Sequence, residues 1–442
     1  MLNRSSRLPT LAGLLASRVC RISVGELVRT FIRYTCFNLY IRTIYFHKRL
    51  SYMTFDDIRP YRDDEIKAKL TELLSDQRFS KGLYTLLKKE ELVQWMRNTL
   101  AEVTTVKEIQ MQIMRPLLRM LIQRNTNGIT VDGINRLDPE EAYIFISNHR
   151  DIVTDAAFLN ILMTENNLNT TEIAIGSNLL IYPWIENVVR SNRAFVVKRN
   201  VPLKEMLLAS RQLSNYIRHA VTELKTSIWI AQREGRTKDG DDKTQATLLK
   251  MLNMSNPTQQ LLEGFKSLKI IPLSISYEIE PCGASKVKEL MLKNEDGNYK
   301  KTLEDDLFAM NSSLEDSVGG LHFHFGEVLD FDTFGAQYQK LKTNKLIRQL
   351  ATHIDQKIYK NYRLWKNNYI AYDSLYKTNT YQQYYNTVDK KSFGDLTKKR
   401  LSKLGIYNEL AIQYWLRMYA NPVKNCVPVQ SVYRRSVKPI NL

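Results

Sequence analysis

Between residues 142 and 330, short apolar runs alternate with stretches in which apolar positions recur every three or four residues. The runs AYIFIS (142–147), EIAIG (172–176), AFVVK (194–198), SIWIA (227–231), IIPLSISY (270–277) and LHFHFGEV (321–328) are short and rich in Ile, Val and Phe. They predict strands. Strands separated by helical segments imply crossover connections, and so an α/β fold with a central, largely parallel sheet flanked by helices. From about 60 to 125 the pattern is helical throughout: LTELL, LYTLLKK, VQWMRNTL and IMRPLLRMLIQ carry apolar residues on one face. After 333 the chain is helical again. These shifts divide it into 1–52, a basic extension; 53–130, amphipathic helices; 131–332, the α/β domain; and 333–442, a basic helical region rich in aromatics. Helical additions thus flank the domain on both sides.

Charge sharpens that division. The net charge is +18, yet residues 1–52 hold nine Lys or Arg against one acid and residues 333–442 hold twenty against five, which leaves the middle slightly acidic. With 43% hydrophobic residues the chain can bury a core, so disorder is excluded for most of it. The Arg-rich 1–52 resembles a transit peptide in composition; the preferred reading is that the protein proper starts at Met53. Among the cations of the last region stand Tyr359, Tyr362, Trp365, Tyr369, Tyr372, Tyr376, Tyr381, Tyr384 and Tyr385. Cations interleaved with aromatics suit an anionic bilayer surface or a single-stranded nucleic acid. No run reaches the eighteen or so apolar residues of a spanning helix, so membrane contact is expected to be peripheral or monotopic. Cys20, Cys36, Cys282 and Cys426 lie far apart, with no CxxC pair, which indicates neither a disulfide framework nor a zinc site and fits a reducing compartment.

Candidate chemistry follows the strands, where open α/β sheets carry their ligand sites. SNHRDIVTD, Ser147 to Asp155, follows AYIFIS and leads into a helix. His149 with a carboxylate behind it is a general base and its orienter; Asp155 is expected to be the partner and Asp151 a helix cap. NRAFVVKRN ends in Lys198 and Arg199, a pair suited to phosphate. QREGRTKDG follows SIWIA and offers Glu234, Gly235 and Arg236 in a tight turn. Pro272 within IIPLSISY marks an edge, bulge or strand start. His322 and His324 share a strand face, but no third ligand is evident beside them, so they are expected to be sheet residues and no metal is predicted.

Taken in order and spacing, these four blocks resemble the glycerol-phosphate acyltransferase family, which includes the lysophosphatidate acyltransferases. The resemblance covers roughly 140 to 330 and includes GSNLLIYPWIENVVRSNRAFVVKRN. Five residues rather than four separate His149 from Asp155, and no residue stands between Gly235 and Arg236. The resemblance implies that His149 deprotonates an acceptor hydroxyl, Asp155 stabilises the imidazolium, and the alkoxide attacks the thioester of acyl-CoA or acyl carrier protein. It implies no cofactor beyond that co-substrate. Lys198, Arg199, Glu234, Gly235 and Arg236 would hold the phosphate of glycerol-3-phosphate or 1-acylglycerol-3-phosphate, with Pro272 in the acyl-donor region. The acyl chain is expected between the sheet and the helices at 60–125, along the apolar face of 111–122. A phospholipid membrane surface, approached from its cytoplasmic face, is the expected partner. A lyso-aminolipid acceptor is the alternative within the class; a basic nucleic-acid-binding module is the alternative outside it, disfavoured because the positive charge avoids the domain that carries the four blocks.

Overall fold

The computed structural model describes residues 54–436 apart from 259, 298 and 300, so the reading of 1–52 lies outside the described residues. Within them, β1 (Thr126–Asp132), β2 (Ile144–Ser147), β3 (Glu172–Gly176), β4 (Ala194–Val197), β5 (Ile228–Ala231), β6 (Ile270–Tyr277) and β7 (Gly319–Phe325) form one sheet. The order is β1-β7-β6-β2-β5-β3-β4. Every pairing is parallel except β6 with β7. Residues of β2 and β6 are buried on both faces. That is why these strands read as continuous apolar runs rather than alternating ones.

Two sequence expectations change here. β1 was not anticipated, because TNGITVD is polar and its burial alternates along an edge of the sheet. The division at 130/131 consequently falls inside a strand, and Asp56 onward forms one compact unit. Pro272, read as a mark of an edge, a bulge or a strand start, lies in the central strand β6, opposite Ile146 of β2. It is tolerated because the antiparallel ladder to β7 begins only at Leu273. The Pro272 carbonyl accepts from the Gly326 N–H at 3.0 Å, so the missing proline N–H faces the point where β7 ends.

Helices cover both faces. The stretch Ile109–Met114 runs into α4 (Arg115–Asn125), and α5 (Thr154–Glu165) follows β2. Leu118 and Leu121 of α4 and Phe158 and Leu159 of α5 pack on Phe145, Phe323 and Phe325. Each such side chain contributes roughly 1.5–3 kcal/mol on burial. Before them α1 (Asp63–Ser75), α2 (Gln77–Leu87) and α3 (Glu90–Glu102) form a second core with Ile109 and Ile113. Asp76 opens α2 by accepting from the Arg78 and Phe79 N–H groups, satisfying donors a helix start leaves over. On the apolar face of 111–122, Ile113, Leu118 and Leu121 are core residues, while Met111 is exposed.

Further along come α6 (Pro183–Ser191), α7 (Leu203–Thr222), α8 (Ala246–Leu252), α9 (Leu261–Lys266), α10 (Gly283–Glu295), α11 (Leu303–Glu315) and α12 (Phe331–Tyr338). The C-terminal region holds α13 (Thr343–Asn361), α14 (Lys366–Tyr376), α15 (Thr387–Lys403) and α16 (Glu409–Ser436). It docks on the domain rather than hanging from it. α13 packs on β6, and α14, α15 and α16 share a core with α10 around Trp415 and Tyr419. The aromatics largely serve this packing. Tyr362 is buried, Trp365 lies against Gly320, Tyr369 stacks on Tyr384 with ring centroids 4.4 Å apart, and Tyr385 donates to Asp373. No helix among the described residues is long and apolar enough to cross a membrane.

Candidate active site

Because β2, β4 and β5 run parallel, the loops that follow them emerge at one end of the sheet. His149 leaves β2, Lys198 and Arg199 leave β4, and the turn from Arg233 to Gly240 leaves β5. Three stretches of sequence up to ninety residues apart are brought to one rim by the topology.

The loop that carries His149 is fastened on every side. Asn148 exchanges two hydrogen bonds with the backbone of Ile275 in β6, at 2.8 and 2.9 Å. The Trp229 indole N–H donates to Ser147 Oγ at 2.9 Å, and its ring meets the imidazole edge-on. From above, the Thr237 N–H donates to the His149 carbonyl at 3.0 Å, hooking the β5 turn to the loop.

His149 Nδ1 lies 2.9 Å from Asp155 Oδ2. Asp155 is fully buried in the first turn of α5, and the same oxygen accepts from the N–H groups of Arg150 and Asp151 at 2.7 and 3.0 Å. Its other oxygen accepts from the Tyr277 hydroxyl at 2.7 Å. A carboxylate only accepts, so the imidazole proton sits on Nδ1 and the Nε2 lone pair is free to take a proton. The His149 side chain keeps 14% of its surface exposed. Asp151 does something else: Oδ1 accepts from the N–H groups of Val153 and Thr154 to close the turn into α5, and Oδ2 accepts from Ser313. Burial pushes its carboxyl up, but the Ser313 hydroxyl, those backbone donors and the Arg236 charge hold it below the ordinary carboxylate value. The extra residue between His149 and Asp155 is absorbed by that turn.

The cationic candidates part company. Lys198 is occupied by Asp57 and Gln212. Arg199 pairs with Glu234 at 2.7 Å, joining the loops after β4 and β5 at the rim, and its N–H is held by Ser177 Oγ at 2.9 Å. Gly235, at φ +69°, makes the turn possible. Arg236 turns inward; it is 8% exposed, its charge acts on Asp151 and Cys282, and its Nη1 has no hydrogen-bond partner among the described residues. Four residues earlier in the chain, both polar atoms of the buried Gln232 amide also lack partners there. Unmatched buried donors beside a base are groups a polar ligand can satisfy. Pro272 stands apart, buried in β6 two positions before Ser274.

Beneath the imidazole lies a charged network that the sequence did not disclose. Arg150 is buried and donates to Asp242 and to Glu280, while Lys286 donates to Glu280 and to the Arg150 carbonyl, both at 2.6 Å. Burial works against the Arg150 charge, but the facing carboxylates hold the guanidinium protonated well beyond its ordinary range. The C-terminal helices complete it: the Tyr419 hydroxyl accepts from the Glu280 N–H at 2.8 Å, and Asn421 donates to the Asp239 carbonyl at 2.8 Å. Gly240 lets α16 approach, since a Cβ there would sit 2.1 Å from the Met418 carbonyl. Tyr277, Trp229, Thr237 and Arg150 are thus site residues that sequence reasoning missed. All four lie in or beside the four blocks, but their residue types gave no sign of these contacts. The expectation for His322 and His324 also changes, because the unforeseen β1 brings a third group, Asp132, within reach of both rings.

Residues 128–276 match the family model described as Acyltransferase. No curated protein matches the chain. Among solved structures it is similar to the 1-acyl-sn-glycerophosphate (LPA) acyltransferase PlsC from Thermotoga maritima, at 11% identity over 66% of this chain and 95% of that one, with a TM-score of 0.32.

Proposed function

We propose that the chain moves a fatty acyl group from acyl-CoA or acyl carrier protein to the hydroxyl of glycerol-3-phosphate or 1-acylglycerol-3-phosphate, a reading supported by the match of residues 128–276 to the Acyltransferase model. The observation that carries the reading is the His149–Asp155 contact at 2.9 Å, which leaves Nε2 as the proton acceptor. Nε2 takes the acceptor's hydroxyl proton as its oxygen attacks the thioester carbonyl. The tetrahedral adduct collapses by breaking the C–S bond, and the departing thiolate takes the proton back from the imidazolium. Asp155 stabilises that imidazolium, and no acyl-enzyme forms.

Arg199 and Arg236 are the groups best suited to the acceptor's phosphate: one is at the rim and exchangeable from Glu234, the other is buried with Nη1 unmatched among the described residues. Holding the phosphate would orient the hydroxyl toward His149, which turns an encounter between two molecules into a positioned reaction. Lys198, tied to Asp57, has a lesser part.

The reading includes contact with an anionic phospholipid surface on the cytoplasmic face. Support comes from α7, which begins at Leu203, four residues after Arg199, and is exposed all round over 203–208. Leu203 is 82% and Leu207 61% exposed, with Met206 and Leu208 beside them and Lys204 among them. An apolar tip with cations close by suits the interface of a bilayer.

The test is transfer of labelled acyl groups from acyl-CoA and from acyl carrier protein to glycerol-3-phosphate, 1-acylglycerol-3-phosphate, glycerol and a lyso-aminolipid. The phosphate-bearing acceptors should react fastest, His149→Ala should abolish transfer, and Arg199→Gln should raise KM for them by roughly 10- to 100-fold, the worth of a charge-assisted pair. Preference for the lyso-aminolipid would replace the acceptor assignment. Transfer that survives His149→Ala would sink the mechanism.

A further inference from the structure

We propose that Asp132, His322 and His324 form a binding site for a divalent cation of the zinc class, separate from the acyl-transfer site. The carboxyl ends of β1 and β7 point the opposite way from those of β2 and β6, because β7 is antiparallel to β6 and parallel to β1. At that end the ligand atoms of the three side chains lie within 4.8 Å of one another. His322 Nε2 is 3.7 Å and His324 Nδ1 is 3.9 Å from the same Asp132 oxygen.

Those separations are too long for hydrogen bonds. They are near what an ion needs: with metal bonds of about 2.0–2.2 Å, tetrahedral ligands stand about 3.3 Å apart. A turn of the Asp132 side chain, which is 67% exposed, closes the remaining ~0.5 Å to each ring. Two nitrogens and one carboxylate with room for further ligands is a set that imidazole-loving borderline cations fill. Hard cations such as calcium would require more oxygens.

The neighbours prepare the site. Thr130 Oγ1 lies 2.8 Å from His322 Nδ1, donates to the Leu321 carbonyl at 3.3 Å and accepts from Arg363. With its own proton on Leu321, Thr130 accepts from Nδ1–H, and the Nε2 lone pair is aimed at the Asp132 carboxylate. Two electron-rich groups facing each other repel unless a cation stands between them, and a hydrogen bond on the other ring nitrogen is how ligating histidines are oriented. Gly133, at φ +77°, lets the end of β1 press on the end of β7; a Cβ there would meet the Phe325 carbonyl at 2.2 Å. That contact keeps Asp132 in register with His324. Across the other ladder, directly opposite His324, the hydroxyl of Ser274 is buried with no partner among the described residues. It is a further polar group available to a ligand or its water.

Arg363, Arg136 and Lys360 are nearby cations that oppose an ion, and the two arginines are committed to other partners. Their N–H groups are turned elsewhere: Arg363 donates to Thr130 and stacks on Trp365 with its guanidinium 4.4 Å from the ring, and Arg136 donates to the Phe325 carbonyl. A bound ion would clip the edge strand β1 to β7.

The experiment uses the full chain without a polyhistidine tag, stripped by a chelator and titrated with Co²⁺ as a coloured stand-in for Zn²⁺. The expected result is visible d–d absorption saturating at one equivalent, displaced by Zn²⁺, together with a rise in Tm on adding Zn²⁺. Asp132→Asn alters an exposed side chain and His324→Ala a partly buried one at the far end of the sheet from His149, so both should fold and transfer acyl groups as the parent does, yet lose both signals. Thr130→Val should weaken Zn²⁺ binding by roughly tenfold, as loss of a histidine's outer partner does elsewhere. Absence of a one-equivalent band in the parent overturns the proposal, as does a band that persists in both Asp132→Asn and His324→Ala.

Discussion

The hydroxyl of Tyr277 donates to Asp155 at 2.7 Å across 122 residues of sequence, tying the end of β6 to the first turn of α5. Asp155 therefore accepts from a phenol, two backbone N–H groups and His149 at once. Its position is set by the sheet as well as by its own helix. The phenol is fully buried, and burial with the Asp155 and Asp151 charges keeps it protonated far above its ordinary range, so it is a permanent donor.

The carboxylate's role in holding the tautomer predicts that Asp155→Asn lowers kcat by on the order of 10³–10⁴, as an amide presents the wrong partner to Nδ1–H. Tyr277→Phe should cost about tenfold, since one of four donors is lost. Steady-state rates and melting curves on the same samples separate the two causes. An Asp155→Asn enzyme within tenfold of the parent would remove the dyad from the mechanism.

The network under His149 predicts a stability effect rather than a kinetic one. Arg150→Met leaves the buried Asp242 carboxylate without its cation, with only the Thr237 hydroxyl still donating to it, while Lys286 still holds Glu280, which should cost about 3–5 kcal/mol. Urea unfolding reads this directly. A shift below about 1 kcal/mol would mean that the Arg150 charge contributes no more than a surface pair.

Asp355 on α13 accepts from the Thr244 N–H and hydroxyl, yet burial pushes its carboxyl up to about 6. An acid whose folded value is raised stabilises the fold when protonated. The contribution is complete below about pH 4, and it is lost as pH rises through about 6. Asp355→Asn should remove this dependence and melt at or above the parent temperature at pH 7. A parent and variant with parallel Tm profiles between pH 4 and 7 would contradict the assignment.

The exposed tip of α7 makes a prediction that separates membrane contact from folding. Leu203→Ser with Leu207→Ser removes apolar surface that touches little of the protein, so Tm should hold while flotation with anionic vesicles falls by at least about tenfold. Unchanged flotation would move the contact elsewhere on the surface.

What the sequence determined by itself is what depends on near neighbours. Six strands announced themselves because strands buried or half-buried on both faces run apolar along most of their length, and the β1 that escaped notice is the one with residues fully exposed. His149 with Asp155 was legible because a strand, a turn and one helical turn suffice to bring them together. Tertiary structure alone decided the rest. It separated Lys198 from Arg199, turned Arg236 inward, packed Ile113, Leu118 and Leu121 into the core, and made the basic C-terminal helices a floor for the site. It also set Asp132 beside His322 and His324, some 190 residues away in the chain. The physical reason is common to all of these: a charge or a ligand acquires its role from the group it meets, and those meetings are arranged by the order and direction of strands, which no local pattern of residues records.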